Sequence, residues 1–160
     1  IHNYFRKDEY LQKAFFKLIE TYEEKTKKGF KRLSVSPIRT YASDIDRKAC
    51  NATQDNLEEA GLLEFTKLGL EDAIKFRPEL TSGYIITNPP YGERLGGDEE
   101  QLEQLYHNFG ETMKNHYKGF SAFLFTGALP MIKKISLRTS QKLPLYNGNI
   151  DARFVKYELF

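Results

Sequence analysis

The sequence predicts an α/β domain with a largely parallel sheet and a C-terminal antiparallel hairpin. Three observations carry that expectation. Short runs rich in β-branched and aromatic residues alternate with segments whose apolar residues recur at helical spacing, so strands and helices follow one another along the chain. Acidic residues that can cap helix starts and glycines that can end helices punctuate the order. Asn147-Gly148 stands between two strand-like runs near the C-terminus, a signal for a tight hairpin.

Taken in order, residues 8–28 read as the first helix. Leu11, Phe15, Leu18, Ile19 and Tyr22 recur every three or four residues, Asp8 can cap the start, and KTKKG closes it with cations and a glycine. KRLSVSPIRTYAS reads as a loop leading into a short strand around 38–42. Asp44 or Asp46 can start the next helix, which Gly61 ends, and LEFTKLG reads as the second strand. LEDAIKF is a short helical or loop piece before Pro78 breaks the order. GYIITNPP holds the third strand. The following GDEEQLEQLYHNFGETMKNHYKG is the clearest helix. Leu102, Leu105, Tyr106, Phe109 and Met113 form its apolar stripe, Asp98 with Gln101 resembles a capping box, and DEE suits the positive end of the helix. FSAFLFTG reads as a strongly buried strand, ALPMIKKI as a short helix, and the last segment as the hairpin.

Composition narrows the class. A chain of 160 residues is long enough for one ordinary domain, and with 40% apolar residues it can build a packed core. No apolar run has the length that crosses a bilayer, and the mixed, charged start IHNYFRKDEY is unlike a signal peptide. The sequence begins without methionine, which points to a fragment. Cys50 is the one cysteine, so no internal disulfide forms, and a cytoplasmic setting is expected. Cys50 reads as a small core residue. His2, His107 and His116 have no metal-ligand spacing with it, so no metal site is expected. Lys and Arg total 24 against 22 Asp and Glu, a formal charge of +2. From Lys114 onward eight basic residues face only Asp151 and Glu158. Such a tail can contact phosphates, and equally can be an ordinary solvated face.

Residues 87–96, TNPPYGERLG, are the segment that carries chemistry. In open α/β sheets ligands sit at the carboxyl ends of strands, and Asn88 follows such a strand directly. Pro89 and Pro90 stiffen the backbone and remove two N–H donors. The Pro89 carbonyl and the Asn88 amide then stand as neighbouring acceptors, with Tyr91 as a flat face beside them. Two fixed acceptors and an aromatic plate suit a planar ring that carries an amino group. Accepting both N–H groups of an exocyclic amine draws its delocalised nitrogen toward tetrahedral geometry and aims the lone pair at an electrophile. The gain is positional and electrostatic, and needs neither a metal nor a covalent intermediate. Read alone, N-P-P could be only a turn. Its place after a β-branched strand and before an aromatic makes it a stronger signal.

NPPY resembles the fourth motif of S-adenosylmethionine-dependent methyltransferases that modify amino nitrogens. The longer TNPPYGERLG resembles the THUMP-associated RNA guanine-N2 methyltransferases of large-subunit ribosomal RNA, often described as N6-adenine DNA methylases. The resemblance runs from about Tyr41 to the C-terminus and is most specific at 87–95. It implies a Rossmann-like class I methyltransferase sheet. It gives the catalytic role to Asn88, Pro89, Pro90 and Tyr91, with Asn88 also beside the cofactor. YASDID resembles the second motif, whose acid holds the cofactor ribose. That implies Asp44, with Asp46 as the alternative, although Asp46 can equally cap the helix. KLGLEDA resembles the third motif and implies Asp72, with the Ala73 backbone, at the cofactor adenine. Glu93 and Arg94 could orient the loop or touch RNA, and an ordinary surface ion pair is the simpler reading.

The family's first motif, a Gly-rich turn after the first strand, has no counterpart here. Gly96-Gly97 falls after the N-P-P-Y loop, in the wrong place. The chain is therefore expected to be part of a catalytic domain, with 1–30 a variable helical segment and 31–160 the Rossmann-like core. The first strand and an N-terminal THUMP module would belong to the parent protein. That first strand would lie between the second and fourth, so its neighbours should expose unpaired edges, and the fragment alone should be inactive. The expected partner is ribosomal RNA, with no membrane. N6-adenine DNA methylation shares the same grip, a protein glutamine methyltransferase is a weaker candidate, and a non-catalytic nucleic-acid-binding module is the alternative of another class.

Overall fold

The computed structural model describes residues 9–35, 40–91 and 98–160. The expected positions Asp8, Glu93, Arg94, Gly96 and Gly97, and the start of the expected 38–42 strand, lie outside them. The elements follow the expected order. They are α1 (Glu9–Val35), β1 (Thr40–Asp44), α2 (Arg47–Glu59), β2 (Thr66–Leu70), β3 (Gly83–Thr87), α3 (Glu99–His116), β4 (Phe120–Thr126), β5 (Thr139–Asn147) and β6 (Ile150–Glu158). Short 3-10 turns at Leu63–Phe65 and Leu129–Lys133 replace the start of the expected second strand and the expected short helix. The backbone divides into two compact units, one of Ile1–Ala42 with Asp46–Gly69, the other of Ser43–Ile45 with Leu70–Phe160.

In the first unit α1 is longer than expected. Of its apolar stripe, Leu18, Ile19 and Tyr22 are exposed. Local bonds support the helix, including Thr21 and Thr26 hydroxyls donating to the carbonyls four residues back. Asp46 caps α2 by accepting the Lys48 N–H at 2.9 Å, and Gly61 takes a left-handed φ of 67° just past the end. Cys50 is buried, and its Sγ donates to the Gly69 carbonyl at 3.4 Å, as a small core residue would.

The second unit holds the core. Its four-stranded sheet runs β3-β4-β6-β5. β3 and β4 are parallel, whereas β6 is antiparallel to both β4 and β5. β1 and β2 form a separate two-stranded sheet, so the expected single sheet occurs as two. β4 alternates strictly, with Phe120, Ala122, Leu124 and Thr126 buried. These residues face a core that Leu102, Tyr106 and Met113 of α3, Met131, Ile132 and Ile135, and Val155 and Tyr157 complete. Asp98 caps α3 as expected, its Oδ1 accepting the Gln101 N–H at 3.0 Å and its Oδ2 the Gln101 side chain at 2.6 Å. The hairpin forms one residue later than its Asn-Gly signal suggests. Asn147 pairs with Ile150, so Gly148-Asn149 make the turn. Gly148 has φ 60° and Asn149 does not have positive φ, which fits a turn that wants glycine first.

Candidate active site

Every expected site residue falls at or just beyond the carboxyl end of a strand. Asp44 closes β1, Asp72 and Ala73 follow β2, and Asn88 follows β3. The Glu71 N–H donates to the Asp44 carbonyl at 2.9 Å, which holds the ends of β1 and β2 side by side. Asp72 then folds a tight turn. Its Oδ1 accepts the Ile74 N–H at 2.9 Å, its carbonyl accepts from Lys75 and Phe76, and its Oδ2 stands 3.8 Å from the exposed Lys75 ammonium. One carboxylate oxygen thus shapes the loop, and the other is turned toward its rim. Ala73 is exposed in the same turn. Asp46, the alternative to Asp44, caps α2 through its Oδ1.

Asn88 is exposed, while Pro89, Pro90 and Tyr91 are half-buried. Tyr91 packs against the core cluster, and its hydroxyl donates to Asn88 Oδ1 at 2.7 Å. The amide oxygen expected to receive a substrate amine therefore already accepts one bond, and its second lone pair is left for a ligand. Among the described residues the Pro89 carbonyl receives no hydrogen bond. Gly127, just past β4, makes the seat for the Tyr91 ring. A Cβ built there would meet the ring at 3.1 Å and Ile150 Cγ2 at 2.7 Å. The start of β6 thus borders the same aromatic.

Beneath the loop lie residues that periodicity does not single out as functional. Tyr106 of α3 reaches the Pro90 carbonyl at 3.3 Å and the Thr126 hydroxyl at 2.7 Å, and Thr126 Oγ1 accepts the Ala128 N–H at 3.0 Å. The sequence signal for them is slight: a tyrosine in a stripe where a purely apolar side chain would serve, and a threonine ending a buried strand. Six residues further along α3, the Thr112 hydroxyl donates to the Ile74 carbonyl at 2.9 Å. One helix therefore anchors both the Asp72 turn and the N-P-P-Y loop. Among the described residues no cluster of His, Cys, Asp and Glu could hold a metal.

Residues 3–156 match the family described as RMKL-like, methyltransferase domain. The chain belongs to that family. The RMKL-like domain is 33% identical over 142 residues to the ribosomal RNA large subunit methyltransferase K/L of Shewanella baltica strain OS155, covering 89% of this chain and 20% of that protein. A solved possible methylase from Clostridium difficile 630 superposes with a TM-score of 0.70 at 33% identity, over 78% of this chain and 32% of the other. A second solved protein, assigned as a methyltransferase and complexed with SAH, gives 0.70 at 29% identity, over 76% and 32%. The domain therefore spans about a fifth of the Shewanella relative and a third of each solved chain. Its fold is that of class I methyltransferases. The strand order β3-β4-β6-β5, with its antiparallel terminal hairpin, is the part of that sheet described above.

Proposed function

We propose that this RMKL-like domain is part of an S-adenosylmethionine-dependent enzyme that methylates the exocyclic amino nitrogen of a nucleobase, guanine N2 in large-subunit ribosomal RNA. The observation that carries the reading is the exposed Asn88 amide at the end of β3, stiffened by two prolines and hydrogen-bonded by the adjacent phenol. The RNA substrate is supported by the Shewanella relative's name, and the cofactor by the solved relative complexed with SAH. An N-terminal THUMP module and a cytoplasmic site of action complete the proposal for the full-length protein. Among the described residues no helix is long and apolar enough to cross a membrane.

The donor set fits the cofactor. Asp44 offers a carboxylate suited to ribose hydroxyls. The rim-facing oxygen of Asp72, with the Ala73 backbone, suits an adenine amino group. When bound, S-adenosylmethionine supplies an electrophilic methyl carbon on a sulfonium. Asn88 Oδ1 and the Pro89 carbonyl accept the two N–H groups of the target amine, which turns its lone pair outward. Positive charge that develops on nitrogen lies against these two oxygens, and the surplus proton then leaves to solvent. Tyr91 fixes the amide through its hydroxyl and offers its ring to the base. The isolated domain is expected to be inactive without the rest of the catalytic domain.

Asn88→Ala in the full-length protein tests the reading. Methyl transfer to unmethylated large-subunit RNA should fall by roughly a hundredfold or more, while S-adenosylmethionine affinity by calorimetry stays close to wild type. Retained activity would overturn the assignment. Nucleoside analysis of the product separates N2-methylguanosine from N6-methyladenosine.

A further inference from the structure

Tyr106 and Thr126 are buried polar side chains whose hydroxyls are bonded to each other, with relative exposures of 2% and 0%. Their proton count can be worked out. Thr126 Oγ1 already accepts the Ala128 N–H, and each hydroxyl has a single proton to give. The arrangement that satisfies every group has Thr126 donating to Tyr106 at 2.7 Å and Tyr106 donating to the Pro90 carbonyl at 3.3 Å. Were Tyr106 to donate to Thr126 instead, it would have no proton left for the Pro90 carbonyl. The path continues at the surface, where the Tyr91 hydroxyl donates to Asn88 Oδ1 at 2.7 Å. Fixing the Pro90 carbonyl fixes the plane of the Pro90–Tyr91 peptide, and with it the direction from which Tyr91 reaches the amide.

We propose that Tyr106 and Thr126 are positioning residues for methyl transfer: a buried hydroxyl relay from α3 and β4 that holds the Pro90–Tyr91 peptide and thereby orients the Asn88 amide. The inference rests on the catalytic role given to Asn88. The relay has the properties such a task needs. It links the loop to a helix and a strand, so the loop cannot shift without breaking the bond that ties Pro90 to the buried Tyr106–Thr126 pair. Burial also pushes the Tyr106 phenol up to about 12, partly offset by Thr126, so its proton is retained at any working pH. Neither residue touches substrate, and both act through Pro90.

Kinetics of the full-length protein, with S-adenosylmethionine and unmethylated large-subunit RNA as substrates, decide the matter. Tyr106→Phe removes one oxygen and keeps the ring. It should lower kcat roughly tenfold to a hundredfold while leaving both KM values within about twofold. Thr126→Val should lower kcat to a similar degree. Thr126→Ser, which keeps the hydroxyl and loses a methyl, should restore kcat even at a lower melting temperature. The double variant Tyr106→Phe/Thr126→Val should be no slower than the slower single variant, because both break one path. Wild-type kcat in Tyr106→Phe and Thr126→Val, alongside an inactive Asn88→Ala, would overturn the relay and leave the catalytic reading intact. An active Asn88→Ala would remove that reading instead. Should Tyr106→Phe fail to fold, the comparison of Ser with Val at position 126 decides alone, and equal losses in the two would overturn the proposal.

Discussion

Tyr157 is fully buried on β6, and its hydroxyl finds no hydrogen-bond partner among the described residues. Burial pushes its pKa above the usual phenol value, so it stays neutral and carries an unsatisfied donor. Tyr157→Phe removes that group at almost constant volume. It should raise stability by about 1 kcal/mol, read from urea denaturation. A loss of stability would mean that the hydroxyl is satisfied. Tyr106 shows the opposite case, a core tyrosine whose oxygen is bonded on both sides. Sequence patterning cannot separate the two, because periodicity scores both as apolar. The place of Asn88, Pro89 and Tyr91 just past β3 was legible because it follows from residue order: an amide after a strand, two fixed backbones, then a ring. The tie from Tyr91 to Asn88 was not, since both groups were assigned to the ligand. Of the two candidate acids around the start of α2, Asp46 makes the helix cap that the sequence already allowed it.

At the scale of elements, α3 shows best how local signals fix a boundary. Its cap and apolar stripe were readable, and Leu102, Tyr106 and Met113 are buried as that stripe requires. Gly110 in its middle was not readable as a packing residue. A Cβ there would lie 2.1 Å from the Ile135 carbonyl oxygen, so the helix and the chain after Leu129–Lys133 touch backbone to backbone. Gly110→Ala should therefore destabilise by roughly 2–3 kcal/mol despite its better helix propensity. Thermal denaturation checks this, and an unchanged midpoint would show that the contact yields. The same substitution should weaken the support beneath the N-P-P-Y loop, because Tyr106 sits one turn earlier on the helix. α1 marks the limit of periodicity. Its spacing predicts a helix and the helix is there, yet Leu18 and Tyr22 are exposed, because amphipathic spacing shows that a face exists and not what covers it. The hairpin slipped by one residue for a similar reason: Asn-Gly marks a reversal, and strand pairing chooses which two residues make it.

At the scale of the whole molecule, the four-stranded sheet of the second unit packs one face into the core and leaves the other partly open. On the open side Tyr84 and Ile86 of β3 are 77% and 76% exposed. Tyr84 leans toward Phe123 at 6.2 Å, and Phe123 stacks on Phe154 at 5.5 Å, so an aromatic row crosses β3, β4 and β6. Exposed apolar strips of this kind promote association. The isolated 160-residue chain should bind a hydrophobic dye and self-associate, and Ile86→Lys should reduce both, as read by fluorescence and sedimentation velocity. A monodisperse, dye-silent 160-residue chain without the substitution would refute this. The two flanks of the same sheet are just as unequal. β5 carries Lys142, Pro144 and an irregular register between Thr139 and Gln141, all of which discourage a further strand, whereas β3 is the plain segment Gly-Tyr-Ile-Ile-Thr. A sheet with two welcoming borders can add copies without end and become a fibre. One with a single welcoming border must stop once two copies have met there, so the isolated 160-residue chain should pair through this sheet and not polymerise through it.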